Sequence, residues 1–278
     1  MTGWGRGLLL VSCLPTEALA QAGQLLLIQK EGGMINKVVA SFDEAVADIF
    51  DGAVIFMGGF GPANGTPSNL LKALAKQGAK NLTLIANTPG YGRSAPGAKA
   101  FRKTPPNYDD GGLLIQTRQV KKVVCAFPGM NRPGMTAPLH EKWQTGELEV
   151  EMVPQGTLAE RIRAAKAGIG AFFIPTGAGT VMEKGKEKRV IDGRAHILEY
   201  PLKADFALVR AYRADRYGNC VYQGTSRNFN PVMAGAARVT IVEVDELVEL
   251  GKLSPEVIVT PGIYVDRIVV RKNGKKGA

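Results

Sequence analysis

The 278-residue chain reads as an α/β protein: an open, mostly parallel twisted sheet with helices on both faces, plus a small antiparallel elaboration. Three observations predict it. Between Ser41 and Ala86, helix-start signals alternate with short apolar runs, the order expected of strands joined by helical crossovers. Those runs are apolar at consecutive positions, as a strand covered on both faces must be. Further on, Asp192-Gly193 lies between two β-prone segments, a strong hairpin signal that a purely parallel sheet lacks.

Taken in order, Ser41-Phe42-Asp43-Glu44 is a capping box that opens a helix to about Phe50. Asp51-Gly52 stops it, and Ala53-Val54-Ile55-Phe56-Met57 is the first strand. A glycine-rich loop, residues 58–65, leads to Thr66-Pro67, where Thr66 caps a second helix and Pro67 fits its first position. Gly78 closes that helix, and residues 81–86 form the next strand. Residues 91–112, rich in Gly, Pro and charge, read as a surface excursion. Strands follow at 120–127 and 148–153, and Thr157-Leu158-Ala159-Glu160 is a second capping box for a helix to about Lys166. A short strand at 171–174, the hairpin 189–191 with 195–200, and strands at 205–212 and 239–244 complete the pattern. No internal repeat or linker composition interrupts it.

Residues 1–33 admit two readings. The apolar run 7–14 after Arg6, followed by Ala18-Leu19-Ala20, resembles a secretory leader, but Ser12, Cys13 and Pro15 break the run. Met34-Ile35-Asn36-Lys37 would open a compact domain naturally, so an extension outside the fold is the preferred reading. One domain is expected over 34–270, with a basic tail at 271–278.

Composition narrows the function. The 34 glycines are aperiodic and sit at the ends of apolar runs, which excludes collagen-like and low-complexity chains. The net charge of +10 is partly local, in Arg271, Lys272, Lys275 and Lys276 and in a looser group of Lys99, Arg102, Lys103, Arg118, Lys121 and Lys122. No nucleic-acid signature accompanies it and aromatics are 7%, so a phosphorylated small molecule or an uneven solvated surface suits it better. Three scattered cysteines and two histidines argue against a disulfide framework or a metal site, and a reducing, cytoplasmic setting follows by default. No stretch is long and apolar enough to span a membrane.

The most informative stretch runs from Asp51 to Pro67: Asp-Gly, an apolar strand, Gly58-Gly59-Phe60-Gly61, then Gly65-Thr66-Pro67. Glycines let backbone approach a ligand closely, and a helix start offers free N–H groups to phosphate, carboxylate or thioester oxygens. A dinucleotide site fails on glycine spacing and on the Asn87 that ends the next strand, where an acidic ribose ligand belongs; a Walker A loop fails because no Gly-Lys-Ser/Thr follows. A tight turn without a ligand is the remaining plain alternative. His140 and His196 lack partners at ligand spacing and read as structural or solvated, Cys125 as core and the other cysteines as peripheral.

The stretch resembles, position for position, the first signature of family I CoA-transferases: Asp51, Gly52, the apolar residues Ile55-Phe56-Met57, Gly58, Gly59, Phe60, Gly65 and Pro67. Thr145-Gly146-Glu147-Leu148-Glu149-Val150-Glu151, Pro154-Gln155-Gly156-Thr157-Leu158-Ala159-Glu160-Arg161 and Ala214-Asp215-Arg216-Tyr217-Gly218-Asn219 resemble the A (alpha) subunit of that family, as do Arg227-Asn228-Phe229-Asn230-Pro231 and Thr260-Pro261-Gly262-Ile263-Tyr264-Val265-Asp266. The resemblance runs in family order over roughly residues 34–270.

It implies the CoA-transferase-like fold, shared with sugar-phosphate enzymes, and transfer of CoA from a donor such as succinyl-CoA to an acid such as acetoacetate or 3-oxoadipate. In the family, the thioester is attacked by a glutamate of the B (beta) subunit, and the reaction passes through a mixed anhydride to a glutamyl-CoA thioester. The Ser-Glu-Asn-Gly-like setting of that glutamate does not occur here; Glu249-Leu250-Gly251 offers only a surface Glu-x-Gly. No catalytic nucleophile is therefore expected in this chain, and a beta partner, as α2β2, is. Coenzyme A is implied as substrate, with no permanently bound cofactor and no metal. Gly58, Gly59, Phe60, Gly61, Gly65 and Pro67 are the expected backbone wall, and Asn87 and Gln155 the amides that orient a carboxylate. Arg227 and Asn228 would pin a nearby loop or cap the next helix. Where the family usually has Asn-Asn-Ala-Gly, this chain has Asn87-Thr88-Pro89-Gly90, and its 91–112 and 129–141 segments are longer, a departure that bears against the usual 3-oxoacid substrate. The competing readings are a stand-alone hydrolase or isomerase and a non-catalytic sensor, each acting on a phosphorylated metabolite.

Overall fold

The computed structural model describes residues 35–60, 65–92, 108–132 and 135–271. Chain contacts divide between Asn36 and Lys37, and the architecture is that of the unit beginning at Lys37. Its strands, in chain order, are β1 (Val54–Met57), β2 (Leu82–Ala86), β3 (Val120–Cys125), β4 (Asn131–Arg132), β5 (Met135–Thr136), β6 (Glu149–Met152) and β7 (Phe172–Ile174). There follow β8 (Lys188–Ile191), β9 (Arg194–Glu199), β10 (Ala204–Asp215), β11 (Cys220–Val221), β12 (Ala237–Val248) and β13 (Arg267–Val270). The helices are α1 (Phe42–Ala45), α2 (Ser68–Gln77), α3 (Gly112–Gln116), α4 (Pro138–Gln144), α5 (Gln155–Ala167) and α6 (Asn230–Ala234).

The main sheet has the order β13-β12-β10-β1-β2-β3-β6, with β11 paired antiparallel to β10 and every other pairing parallel. Alternate strand residues face opposite layers. Ile55, Met57, Leu84, Val123 and Leu208 pack with α1 to α4 through Ala45, Leu70, Leu74, Leu114 and Leu139. Phe56, Ile85, Val124, Ala207 and Val209 pack with α5 and α6 through Leu158, Ile162, Met233 and Ala234. The continuous apolar runs follow from this burial on both faces. A separate antiparallel sheet, β7-β9-β8, carries the hairpin, whose Asp192 (φ 48°) and Gly193 (φ 72°) both have the positive φ of a type I′ turn. Glu199 at its end is buried and joins Arg161 of α5 (3.7 Å) to Lys186 (2.5 Å).

Several local expectations are corrected. The first capping box holds in half: Ser41 Oγ accepts the Glu44 N–H at 3.1 Å, the Glu44 carboxylate reaches back to the Ala40 N–H (3.0 Å) instead of that of Ser41, and α1 ends at Ala45. The second does not cap: α5 begins at Gln155, three residues earlier than expected, because Pro154 already sets the entry, and Thr157 Oγ1 is buried without a partner among the described residues. Strands β10 and β12 extend well beyond the expected spans because their pairing continues from Ala204 to Asp215. The ends of the 91–112 excursion are not surface: Tyr91, Asp109 and Asp110 are buried and Gly112 starts a helix. Arg271 is not tail but pairs with buried Glu243 and with Asp245, whereas 272–278 lie outside the described residues. In the basic region, Lys122 is held by Glu149 and Glu151, and Lys99, Arg102 and Lys103 lie outside the described residues. Cys220 is core, not peripheral, and burial pushes its thiol and that of Cys125 up to about 12.

Phe56 is fully buried at the centre of the sheet. Truncation in Phe56→Ala is expected to cost about 3–5 kcal/mol through lost transfer energy and the cavity left behind, measured by denaturant unfolding.

Candidate active site

Successive strands β1, β2, β3 and β6 build outward in one direction, and β10, β12 and β13 build outward in the other. The order reverses between β1 and β10, and in open α/β sheets ligands bind at the carboxyl ends of the strands at that reversal. Gly58, Gly59 and Phe60 follow β1 at that point. Gly58 N–H donates to Leu208 O of β10 at 2.9 Å, so the loop leaves the sheet still attached to both central strands. Gly61 lies outside the described residues.

One side chain closes the loop. Asn230, fully buried at the start of α6, accepts the Arg210 N–H through Oδ1 (3.0 Å) and donates through Nδ2 to Gly65 O (3.0 Å) and Ser226 O (2.9 Å). It fills the space that a Cβ at Gly58 would need, and a Cβ at Gly65 would overlap Ser226 O. Glycine is therefore required at both positions by close approach, and at Gly65 also by a φ of +70°. Phe60 is 42% exposed beside this buried ribbon.

The start of α2 departs from expectation. Thr66 does not cap it and Pro67 is the N-cap residue rather than the first helical one. The free N–H groups are already taken: Glu243 Oε2, from β12, accepts those of Asn69 (2.9 Å) and Leu70 (3.1 Å), and Oε1 accepts Asn69 Nδ2 (2.9 Å). Burial pushes this carboxyl up, opposed by Arg271 at 2.9 Å and by the two backbone donors. The helix terminus is thus occupied by the protein's own acid and is not a place for a ligand's phosphate or carboxylate.

The two predicted amides meet. The register Phe56↔Ile85, continued two residues, sets Asn87 beside Gly58. Asn87 is 2% exposed; its Oδ1 accepts Gln155 Nε2 at 2.9 Å and its Nδ2 donates to Thr88 Oγ1 at 3.1 Å. Gln155, the first residue of α5 rather than a loop residue, remains exposed. The exposed partner can reach a ligand while the buried one fixes its direction. Arg227 is exposed and Asn228 bonds locally to Thr225 O and the Phe229 N–H; within that stretch the residue that pins the loop is Asn230. His140 Nε2 lies 3.0 Å from Gly129 O and His196 Nδ1 2.8 Å from Arg194 O, both structural. Glu249, Leu250 and Gly251 form an exposed turn. No cluster of His, Cys, Asp or Glu able to hold a metal occurs among the described residues, and no helix among them is long and apolar enough to cross a membrane.

A family model for coenzyme A transferase matches residues 39–271, nearly all of the fold just described. The chain belongs to the coenzyme A transferase family. Its sequence is similar to the A component of the 3-oxoadipate CoA-transferase of Pseudomonas putida, 48% identical over 236 residues that cover 85% of this chain and 94% of that one. It is also similar to the alpha subunit of the acetate CoA-transferase of Escherichia coli K12, 43% identical over 84% of this chain and 97% of that one. Among solved structures its fold resembles an acyl-CoA transferase of E. coli O157:H7 in a thioester complex with CoA, with TM-score 0.70 and 22% identity, covering 85% of this chain and 47% of that one. Glutaconate CoA-transferase from Acidaminococcus fermentans matches with TM-score 0.65 and 19% identity over 84% of this chain and 75% of that one.

For this CoA-transferase chain, Asn230 and Glu243 are the residues that sequence reasoning missed. Asn230 stood inside a recognised motif, and the one available signal for Glu243 was an acid set among apolar residues in the run 239–244. Asn230→Ala would leave one buried N–H and two carbonyls unpaired, at about 1–3 kcal/mol each, and is expected to lower the unfolding midpoint clearly. Glu243→Gln weakens the cap and leaves Arg271 short of its partner; a loss of roughly 3 kcal/mol is expected in the same measurement.

Proposed function

We propose that the chain is the A (alpha) subunit of an acyl-CoA:3-oxoacid CoA-transferase, taking CoA from a donor such as succinyl-CoA and passing it to a 3-oxo acid such as 3-oxoadipate or acetoacetate. The observation that carries this is the similarity to the Pseudomonas putida relative at 48% identity across almost the full length of both chains. On this reading the nucleophilic glutamate comes from a beta subunit in an α2β2 assembly working in the cytoplasm. The glutamate carboxylate attacks the thioester carbonyl and expels CoA as thiolate; the thiolate attacks the glutamyl carbonyl of the resulting anhydride and releases the first acid. The acceptor carboxylate then reverses these two steps.

The chain's own part is to shape the wall beside the reacting carbonyl. Gly58, Gly59, Phe60, Gly65 and Pro67 bring backbone close, and Gln155, steered by Asn87, orients the acid's carboxylate. Each intermediate is an acyl group open to hydrolysis, so a site closed between two chains protects the thioester's free energy.

The test is CoA exchange between succinyl-CoA and a panel of 3-oxo acids, using this chain alone and co-purified with a beta-type chain. Exchange is expected only in the mixture, with 3-oxoadipate the better acceptor. Exchange by this chain alone would overturn the assignment of the nucleophile to a partner.

A further inference from the structure

Asp110 is a carboxylate, 3% exposed, held between two glycine-containing segments. Its Oδ2 accepts the Tyr91 N–H at 3.0 Å, and its Oδ1 accepts those of Gly92 at 2.6 Å and Gly112 at 3.1 Å. Gly90, with φ +105°, lies so close that a Cβ there would overlap the carboxylate, and a Cβ at Gly112 would overlap Gly92 N. Its neighbours hold the other side of the site. Tyr108 Oη donates to Thr66 Oγ1 at 3.3 Å and the Asp109 N–H donates to Ser68 Oγ at 2.8 Å, while Tyr91 Oη accepts the Met130 N–H at 2.9 Å. Residues 108–112 are therefore attached at once to the glycine-loop wall, at Thr66 and Ser68, and to the wall that follows β2. A small cavity lies between these walls, lined by Gly59, Phe60, Thr66, Thr88, Tyr108 and Asp110.

We propose that Asp110 is a positioning residue for CoA transfer, whose ionised carboxylate fixes the 88–92 wall, and with it the Asn87 amide, against the glycine loop. This rests on the reading of that sheet edge as the active site. Three N–H donors converge on the acid and none of the described residues supplies a cation to it. The titratable groups around it are Asp109, Tyr91 and Tyr108, with Lys72 placed 3.6 Å from Asp109. Burial pushes the Asp110 carboxyl up to about 6, against the pull of the three N–H groups and with a small push from Asp109. Folding therefore binds this proton more tightly than the unfolded chain does. The stability contributed by the protonated form is present below the unfolded value of 3.8 and is lost as pH rises through about 6. At neutral pH the fold carries the charge at a cost, while the N–H groups it gathers need that charge.

The test is the Asp110→Asn enzyme, assembled with its beta-type partner. The expected result is a fall in kcat of about 10–100-fold with KM changed less than about 3-fold, as misplacement of a reacting group produces. The acid limb of kcat near pH 6 should vanish, and the unfolding midpoint at neutral pH should not drop. A wild-type kcat with the acid limb intact, or a kcat loss matched by a lowered midpoint, overturns the assignment. Asn87→Ala and Gly59→Ala serve beside it. Full activity in both would sink the site reading itself, whereas their inactivity beside an unimpaired Asp110→Asn enzyme would sink only the role of Asp110. Should Asp110→Asn fail to fold, hydrogen exchange of the 87–92 peptide in the unsubstituted enzyme decides. Protection, corrected for intrinsic rate, is expected to change between pH 7 and pH 5 as the carboxyl takes up its proton, and pH-independent protection would refute the clamp.

Discussion

The site depends first on one buried amide. Asn230 uses its acceptor on β10 and its donors on the glycine loop and on the turn before α6, so three chain segments meet at a single side chain. An amide suits the task because it offers both polarities in one plane. A carboxylate could not donate to Gly65 and Ser226, and an aliphatic side chain would leave all three backbone groups unpaired. The two glycines that face it are the other half of the same constraint: the loop carries no side chain where Asn230 must enter. Loop shape here is set by what packs behind it more than by the freedom of glycine itself.

Much of this was legible in the sequence. Consecutive apolar residues at 53–57 announced a strand covered on both faces, and Asp192-Gly193 announced the hairpin, because backbone conformation and burial leave direct marks on residue choice. The glycine loop was legible for the same reason, and the family resemblance named Asn87 and Gln155 as its companion amides. What was not legible was the satisfaction of polar groups across long sequence separations. Thr66 and Thr157 both looked like helix caps by local spacing; in the fold one hydroxyl meets Tyr108 and the other lies unpartnered among the described residues, because a distant acid or a proline had already settled the helix start. The 91–112 segment looked solvated by composition, yet both ends turn inward because Asp109 and Asp110 find backbone and side-chain partners there.

For transfer chemistry, the edge combines a rigid floor with an exposed rim. The floor is backbone and amide, fully satisfied from within. The rim carries Phe60, Phe127 and Met130, each more than a third exposed, together with Gln155. On the proposed reading, a chain that supplies positioning without the nucleophile needs this division. The parts that touch a substrate must be held in place before any partner arrives, and the surface around them must stay open to both.

The cap on α2 bears on the order of events as the chain is made. Asn69 and Glu243 are separated by 174 residues, and the arginine that neutralises the acid comes later still. At ribosomal speeds of about 5–20 residues per second, roughly 10–35 s pass between synthesis of the glycine loop and synthesis of the acid that secures the helix behind it. During that interval β1, β2 and α2 already exist as chain, but neither the Asn230 that packs behind the loop nor the acid that caps α2 does. On the proposed reading, a truncated product lacking β12 would not present the glycine wall to a thioester, however well its first half folded.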